Sequence, residues 1–251
     1  MGPRSTIVLS TTEFDVLWEC EDLPTRHVAL DVPSPGLTRA ARADVVDRAL
    51  AGLADRGLAK AGQAEPELAD RLALLAAPQR SVDVWLWSDH EIRALAATRD
   101  SRAIVAVVDR DEVWLIPARE SSFVHAAVSV AGDCPAGNGH GVTVPLDALR
   151  AADAEVNGDP RALITALERR GVPLSQAQEL SRMFTGITLR GQFGAERTPP
   201  RVRRRRSDRV VAFYDNPQGR YLFLTKPGWA TITPTDNARL TTAISELFDE
   251  L

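Results

Sequence analysis

The sequence predicts an α+β domain built around an antiparallel sheet, with one structural plan used twice. Two stretches carry the strand signal: SRAIVAVVDRDEVWLIPAR (101–119) and DRVVAFYDNPQGRYLFLTKP (208–227). Each places two apolar runs around a short polar turn, the pattern of a β-hairpin. Hairpins rather than strand–helix–strand crossovers favour antiparallel pairing. Landmarks then recur at nearly constant separation. Gly57 and Gly171 are 114 residues apart, while residues 81 and 187 and the carboxylates Asp109 and Asp215 are each 106 apart. An internal repeat of this kind predicts a pseudo-twofold, duplicated domain.

The elements follow in order. TIVLSTTEFDVLWE opens with a short apolar strand, and Ser10 followed by Glu13 is a capping box. Phe14, Leu17 and Trp18 then share one helical face. The second half repeats this with a strand at 142–144 and a helix opening near Pro145. Second helices are predicted over 38–59 and 159–173, each ending at a glycine that follows an arginine. Amphipathic helices at 66–78 and 175–184 lead into strands at 81–87 (SVDVWLW) and 187–193 (ITLRGQF). After each hairpin comes a closing helix, at 121–131 and, beyond a short strand at 229–232, at 233–251. GDCPAGNGHG (132–141) has linker composition and divides a single 1–251 domain into halves of about 1–131 and 142–251.

Composition narrows the function. The 251 residues are long enough for a substantial core, and the net charge is −4. Two cysteines without CxxC spacing, Cys20 and Cys134, argue for a reducing compartment and against a zinc site. No signal-peptide pattern and no apolar run of membrane-spanning length is present. A cytoplasmic protein without stable membrane insertion is expected.

The parts of an active site are missing from the pattern. GNGHG has neither dinucleotide-fingerprint nor P-loop spacing, and no GxSxG elbow occurs. His27, His90, His125 and His140 are scattered without metal-ligand spacing, so each is expected to be exposed or structural. In SDHE (88–91) neighbouring side chains alternate in direction and read as loop decoration. Asp109 and Asp215 are expected to hold their turns by accepting backbone N–H groups. No cofactor, no metal and no catalytic residues are assigned.

Aromatic and basic residues offer the remaining signals. Trp85 and Trp87 share one strand face with Asp83 and Asp89; Tyr221 and Phe223 share a face in the second hairpin. Such residues fit either a core or an exposed interface. Seven of the 30 Lys and Arg residues lie between Arg197 and Arg209, a local +6 that leaves −10 for the remainder. The run at 201–209 supports an alternative reading, a nucleic-acid-binding regulator. Its position at the entrance to a strand favours a solvated loop or an interface rim.

The stretches EFDVLWE with Pro24 after it, RSVDVWLW, LERRGV, RGQFGA, VVAFYDNPQGRYL and GWATITPTD occur in an order that resembles the EspG family. The likeness runs over about residues 5–250. It implies a chaperone-like accessory protein of type VII (ESX) secretion, cytoplasmic and without enzymatic activity. The implied fold is a central antiparallel sheet flanked by two helical bundles. The implied partner is a helical secreted protein or heterodimer, PE/PPE-like or a WXG-type hairpin, gripped at its helical tip. Contacts are implied on the sheet, on the 88–93 loop and on the C-terminal bundle. The substrate-binding candidates are then Trp85, Trp87, Asp89, Ile92, Arg93, Arg190, Gln192, Phe193 and Phe213. No nucleic-acid partner is expected, and self-association no stronger than a weak homodimer.

Overall fold

A computed structural model of the chain describes residues 5–156, 159–199 and 203–251. The first half contains β1 (Ile7–Ser10), α1 (Thr11–Cys20), α2 (Arg39–Asp55), a small hairpin of β2 (Ala59–Lys60) and β3 (Gln63–Ala64), and α3 (Pro66–Ala76). Four long strands follow, β4 (Arg80–Trp87), β5 (Glu91–Arg99), β6 (Arg102–Asp109) and β7 (Glu112–Arg119), then α4 (Phe123–Ser129). The second half contains β8 (Val142–Pro145), α5 (Leu146–Val156), α6 (Pro160–Glu168), α7 (Leu174–Phe184) and β9 (Leu189–Arg197). It continues with β10 (Arg205–Arg206), β11 (Val211–Asn216), β12 (Gly219–Lys226), β13 (Trp229–Pro234) and α8 (Asn237–Asp249).

All strands except β2 and β3 join one sheet, ordered β1-β7-β6-β5-β4-β9-β11-β12-β13-β8, with β10 beside the end of β9. Every pairing between these strands is antiparallel. The central pair is β4 with β9, where Trp85 faces Gln192 and Trp87 faces Arg190. Outward from that pair the order is β5-β6-β7-β1 on one side and β11-β12-β13-β8 on the other. In both halves the first strand lies at the outer edge beside the last.

Local chemistry accounts for the element ends. The Ser10 side chain accepts from the Glu13 N–H, and Glu13 accepts from the Ser10 N–H at 2.7 Å, so the capping box is complete. Beyond α2 and α6, Gly57 and Gly171 take φ of 68° and 82°, the left-handed conformation that ends a helix with least strain in glycine.

Three apolar cores follow from the two-residue period of the strands. On one face Val82, Val84, Leu86, Phe193 and Phe213 pack beneath α4 and α8. On the opposite face Leu95, Ala97, Ile104 and Leu115 receive α1 and α3 through Phe14, Leu17 and Leu72. At the other end of that same face Tyr214, Tyr221 and Ile232 receive α5, α6 and α7. Two groups of helices therefore stand on one face, one over each end of the sheet. The strands between them, β4 and β9, carry the side chains at the centre of this cleft.

The hairpin carboxylates behave differently from expectation. Asp215 forms a bidentate pair with Arg220, at 2.7 and 2.8 Å, rather than bonding turn N–H groups. It is the Asn216 side chain that accepts the turn N–H of Gln218. Asp109 accepts from or shares a proton with His90 Nε2 at 2.7 Å. The 132–141 linker is stitched down: Arg220 N–H donates to Pro135 O, and Gly137 N–H to Arg220 O.

Candidate protein-binding surface

The cleft is built on strand alternation. Residues directly opposite in a ladder share a face, so Trp85 sits with Arg93 and Gln192, and Trp87 with Glu91 and Arg190. The two indoles stack at 6.4 Å between centroids with 20° between planes. Trp85 Nε1 donates to Asp83 at 3.1 Å, and Trp87 Nε1 to Glu91 at 3.3 Å. The Arg93 guanidinium lies 5.8 Å from the Trp85 ring and pairs with Glu91 at 3.2 Å. Trp87 remains 39% exposed, in an aromatic–arginine setting of the kind enriched at protein interfaces.

Toward α5, α6 and α7 this surface leads, at Arg190, to a cavity of about 330 Å³. Leu149, Leu163, Phe184 and Phe223 line it, and Arg190 stands at its boundary with the Trp face. Tyr214 also lines it, with its ring stacked on Phe184 at 5.2 Å and on Tyr221 at 5.5 Å. Among the described residues its buried hydroxyl has no hydrogen-bond partner. Burial pushes that phenol well above the ordinary tyrosine range, so it remains a neutral donor. An unsatisfied buried hydroxyl costs about 1–3 kcal/mol, a cost that an acceptor entering the cavity would remove.

The loop between β4 and β5 is shorter than the expected 88–93: it consists of Ser88, Asp89 and His90, and Ile92 and Arg93 belong to β5. It is tied down through His90, whose Nδ1 lies 2.8 Å from Asp89 and whose Nε2 lies 2.7 Å from Asp109. Hydrogen bonds to Asp89 and then to Asp109 push the His90 pKa up. Bonds to Ser88 and His90 hold the Asp89 carboxyl at about 2.

Of the sequence candidates, Trp85, Trp87, Arg93, Arg190 and Gln192 share the cleft face, with Asp89 exposed at the loop. Ile92, Phe193 and Phe213 require correction. Leu86 faces Ile92, Val84 faces Phe193 and Phe213 faces Gly191, so all three point to the opposite side of the sheet. Phe193 and Phe213 are core residues, stacked on each other at 5.5 Å, and Ile92 is half-buried against the same core. They cannot touch a ligand in the cleft. The sequence reading also missed Tyr214 and Phe184, because nothing in one strand and one helix says that they meet.

A second cluster was equally hidden. His27, Asp83 and Glu196, all buried, bring ligand-type atoms within 4.8 Å of one another. Arg206 places its guanidinium among them, 2.6 Å from Asp83 and 3.0 Å from Glu196. A fixed cation thus already occupies the position that a metal ion would take. Among the described residues no helix is long and apolar enough to cross a membrane.

Comparison with known proteins agrees with this architecture. No curated protein sequence matches. Among solved structures, the Mycobacterium tuberculosis type VII secretion system chaperone EspG5, determined in complex with a PE25–PPE41 dimer, superposes with a TM-score of 0.75. That match covers 98% of this chain and 97% of the other at 17% identity, so it is the fold that the two share. The EspG family model matches residues 10–246, nearly the full length. The chain belongs to the EspG family.

Proposed function

We propose that this protein is a cytoplasmic, chaperone-like binding protein rather than an enzyme. It takes the helical tip of a type VII secretion substrate, a PE–PPE-like heterodimer, into the cleft and keeps it soluble until export. The observation that carries this reading is the stacked Trp85–Trp87 pair, with Trp87 exposed, beside Arg190, the residue at which an apolar cavity lined by Tyr214 begins. Aromatic anchors of this kind supply most of the energy of protein interfaces, with charged neighbours forming the rim. Glu91, Arg93, Asp89 and Arg190 are such a rim. The similarity of the fold to a chaperone crystallised with a PE25–PPE41 dimer supports the choice of partner. We further infer that the two halves derive from one duplicated unit, which the mirrored strand order supports.

The arginine run does not favour the nucleic-acid alternative. Arg201 lies outside the described residues, but Arg204, Arg206 and Arg209 pair with Glu196, Asp83 and Glu250, and Arg205 donates to Leu251 O at 2.6 Å. Co-expression with PE–PPE heterodimers and with WXG-type hairpins, followed by size exclusion, tests the proposal. A stable co-eluting complex with one such substrate is expected; elution of the chaperone alone in every pairing would refute it.

A further inference from the structure

The run RVRRRRSDR contains one arginine that the cleft is built to receive. Arg206 on β10 extends over the central strands and grips Asp83 with two nitrogens, Nη1 to Oδ2 at 2.6 Å and Nη2 to Oδ1 at 3.1 Å. Its Nη1 also donates to Glu196 Oε1 at 3.0 Å, and His27 Nε2 lies 3.4 Å from the same oxygen. The Asp83 side chain is 1% exposed. Gly194, directly opposite Asp83 in the ladder, makes this possible. A Cβ there would lie 2.4 Å from Arg206 Nη2 and 2.6 Å from Asp83 Oδ2. Any side chain would push the fork off the carboxylate.

Asp83 has a second task. Its Oδ1, fixed by Arg206 Nη2, is the oxygen that accepts from Trp85 Nε1. Trp85 in turn stacks on Trp87 and lies under Arg93. The charge of the guanidinium therefore reaches the aromatic surface through one carboxylate whose two oxygens are both committed. A bidentate Arg–carboxylate pair fixes orientation as well as charge.

We propose that Arg206 is a positioning residue for substrate binding: by clamping Asp83 over Gly194 it fixes the Trp85 indole, and through it the stacked pair that meets the partner. This rests on the proposed function for its binding arm only, since the orientation of Trp85 is measurable in the free protein. The remaining described arginines of the run have no such link to the tryptophans; Arg205 reaches the chain end at Leu251 instead.

Indole N–H resonances read the claim directly. The chain has five tryptophans, and Trp85→Phe assigns the Trp85 signal by its loss. In Arg206→Gln the Trp85 signal should shift and exchange faster with solvent. The Trp18 signal, bonded to Pro24 O at 2.7 Å in the other core, should stay. Arg206→Lys keeps the charge and so protects the fold, but one ammonium nitrogen cannot reproduce the planar two-nitrogen fork that fixes the Asp83 orientation; it should move the Trp85 signal in the same way. Affinity for a PE–PPE partner should fall about 10-fold in Arg206→Gln and Arg206→Lys and by less than about 2-fold in Arg205→Gln. In a Trp85→Phe background, Arg206→Gln should cost nothing further. An unmoved Trp85 signal in both Arg206 variants would overturn the proposal, as would an equal loss of affinity with and without Trp85. Should no helical substrate bind the unaltered protein, the functional reading fails, while the resonance shift still decides the positioning claim.

Discussion

Replacing Arg220 by methionine should be among the most damaging single changes in the second half of the chain. Its side chain is fully buried, on β12, at the junction of the two halves. It gives Asp215 two bonds, donates to Ala131 O at 2.9 Å and Gly132 O at 3.3 Å beyond α4, and bonds Asn237 at the start of α8. Its guanidinium also lies 4.6 Å from the Phe213 ring. Methionine fills much of the same volume but leaves the largely buried Asp215 without a counter-charge. Removing one partner of a buried pair costs about 3–5 kcal/mol, chiefly because the other charge stays behind. At about 2–4 °C per kcal/mol for a chain of this length, Tm should fall by about 6–20 °C. Guanidinium unfolding should give a lower midpoint with an unchanged slope. Adding Asp215→Asn should recover about 1–3 kcal/mol, because the stranded charge is gone. A loss below about 1 kcal/mol for Arg220→Met, or strict additivity in the double variant, would refute this reasoning.

Three further outcomes are expected. Tyr214→Phe removes an unpartnered hydroxyl and should leave the free protein equally stable, or up to about 1 kcal/mol more stable, while weakening substrate binding; calorimetry on both states checks this. A histidine whose pKa is raised on folding contributes stability that is complete below its unfolded pKa of about 6.5 and fades as pH climbs through the higher folded value. The β4–β5 loop should therefore loosen as pH rises past neutrality, read as a falling protection factor, corrected for intrinsic base-catalysed exchange, at the Ser88 N–H that donates to His90 O, and His90→Gln should leave that protection factor independent of pH. Substrate affinity should change less than about 10-fold between 50 and 300 mM salt, against the roughly 10³-fold or greater loss expected for multiple phosphate contacts.

Local signals carried most of the architecture. The capping box at Ser10 and Glu13, the glycines closing α2 and α6, and the two hairpins all depend on neighbours in sequence, and each is where the residues place it. Hairpins in place of strand–helix–strand crossovers also pointed to the antiparallel sheet. The small β2–β3 hairpin and β10 were not legible, because two-residue strands carry no period. The site was legible in part. Trp85 and Trp87 stand out because alternation sets them on one face. The same alternation excludes Phe193 once Gln192 is placed in the cleft, and Ile92 once Arg93 is there, a constraint available in the sequence itself. Partnerships such as Arg206 with Asp83, 123 residues apart, depend on β9 and β10 meeting β4, which no local pattern encodes.

Three exposed tryptophans allow a direct test of where the partner binds. Trp87 is 39% exposed in the cleft, while Trp114 and Trp229, 41% and 51% exposed, lie on the opposite face of the sheet. Each is changed to arginine, and affinity for a PE–PPE heterodimer is measured by titration calorimetry. Loss of a central aromatic anchor costs about 2–4 kcal/mol, so Trp87→Arg should weaken binding by about 30-fold or more, with Trp114→Arg and Trp229→Arg within about 3-fold of the unaltered protein. Full affinity in Trp87→Arg, or an equal loss at Trp114 or Trp229, would contradict the assignment of the cleft as the substrate-binding surface.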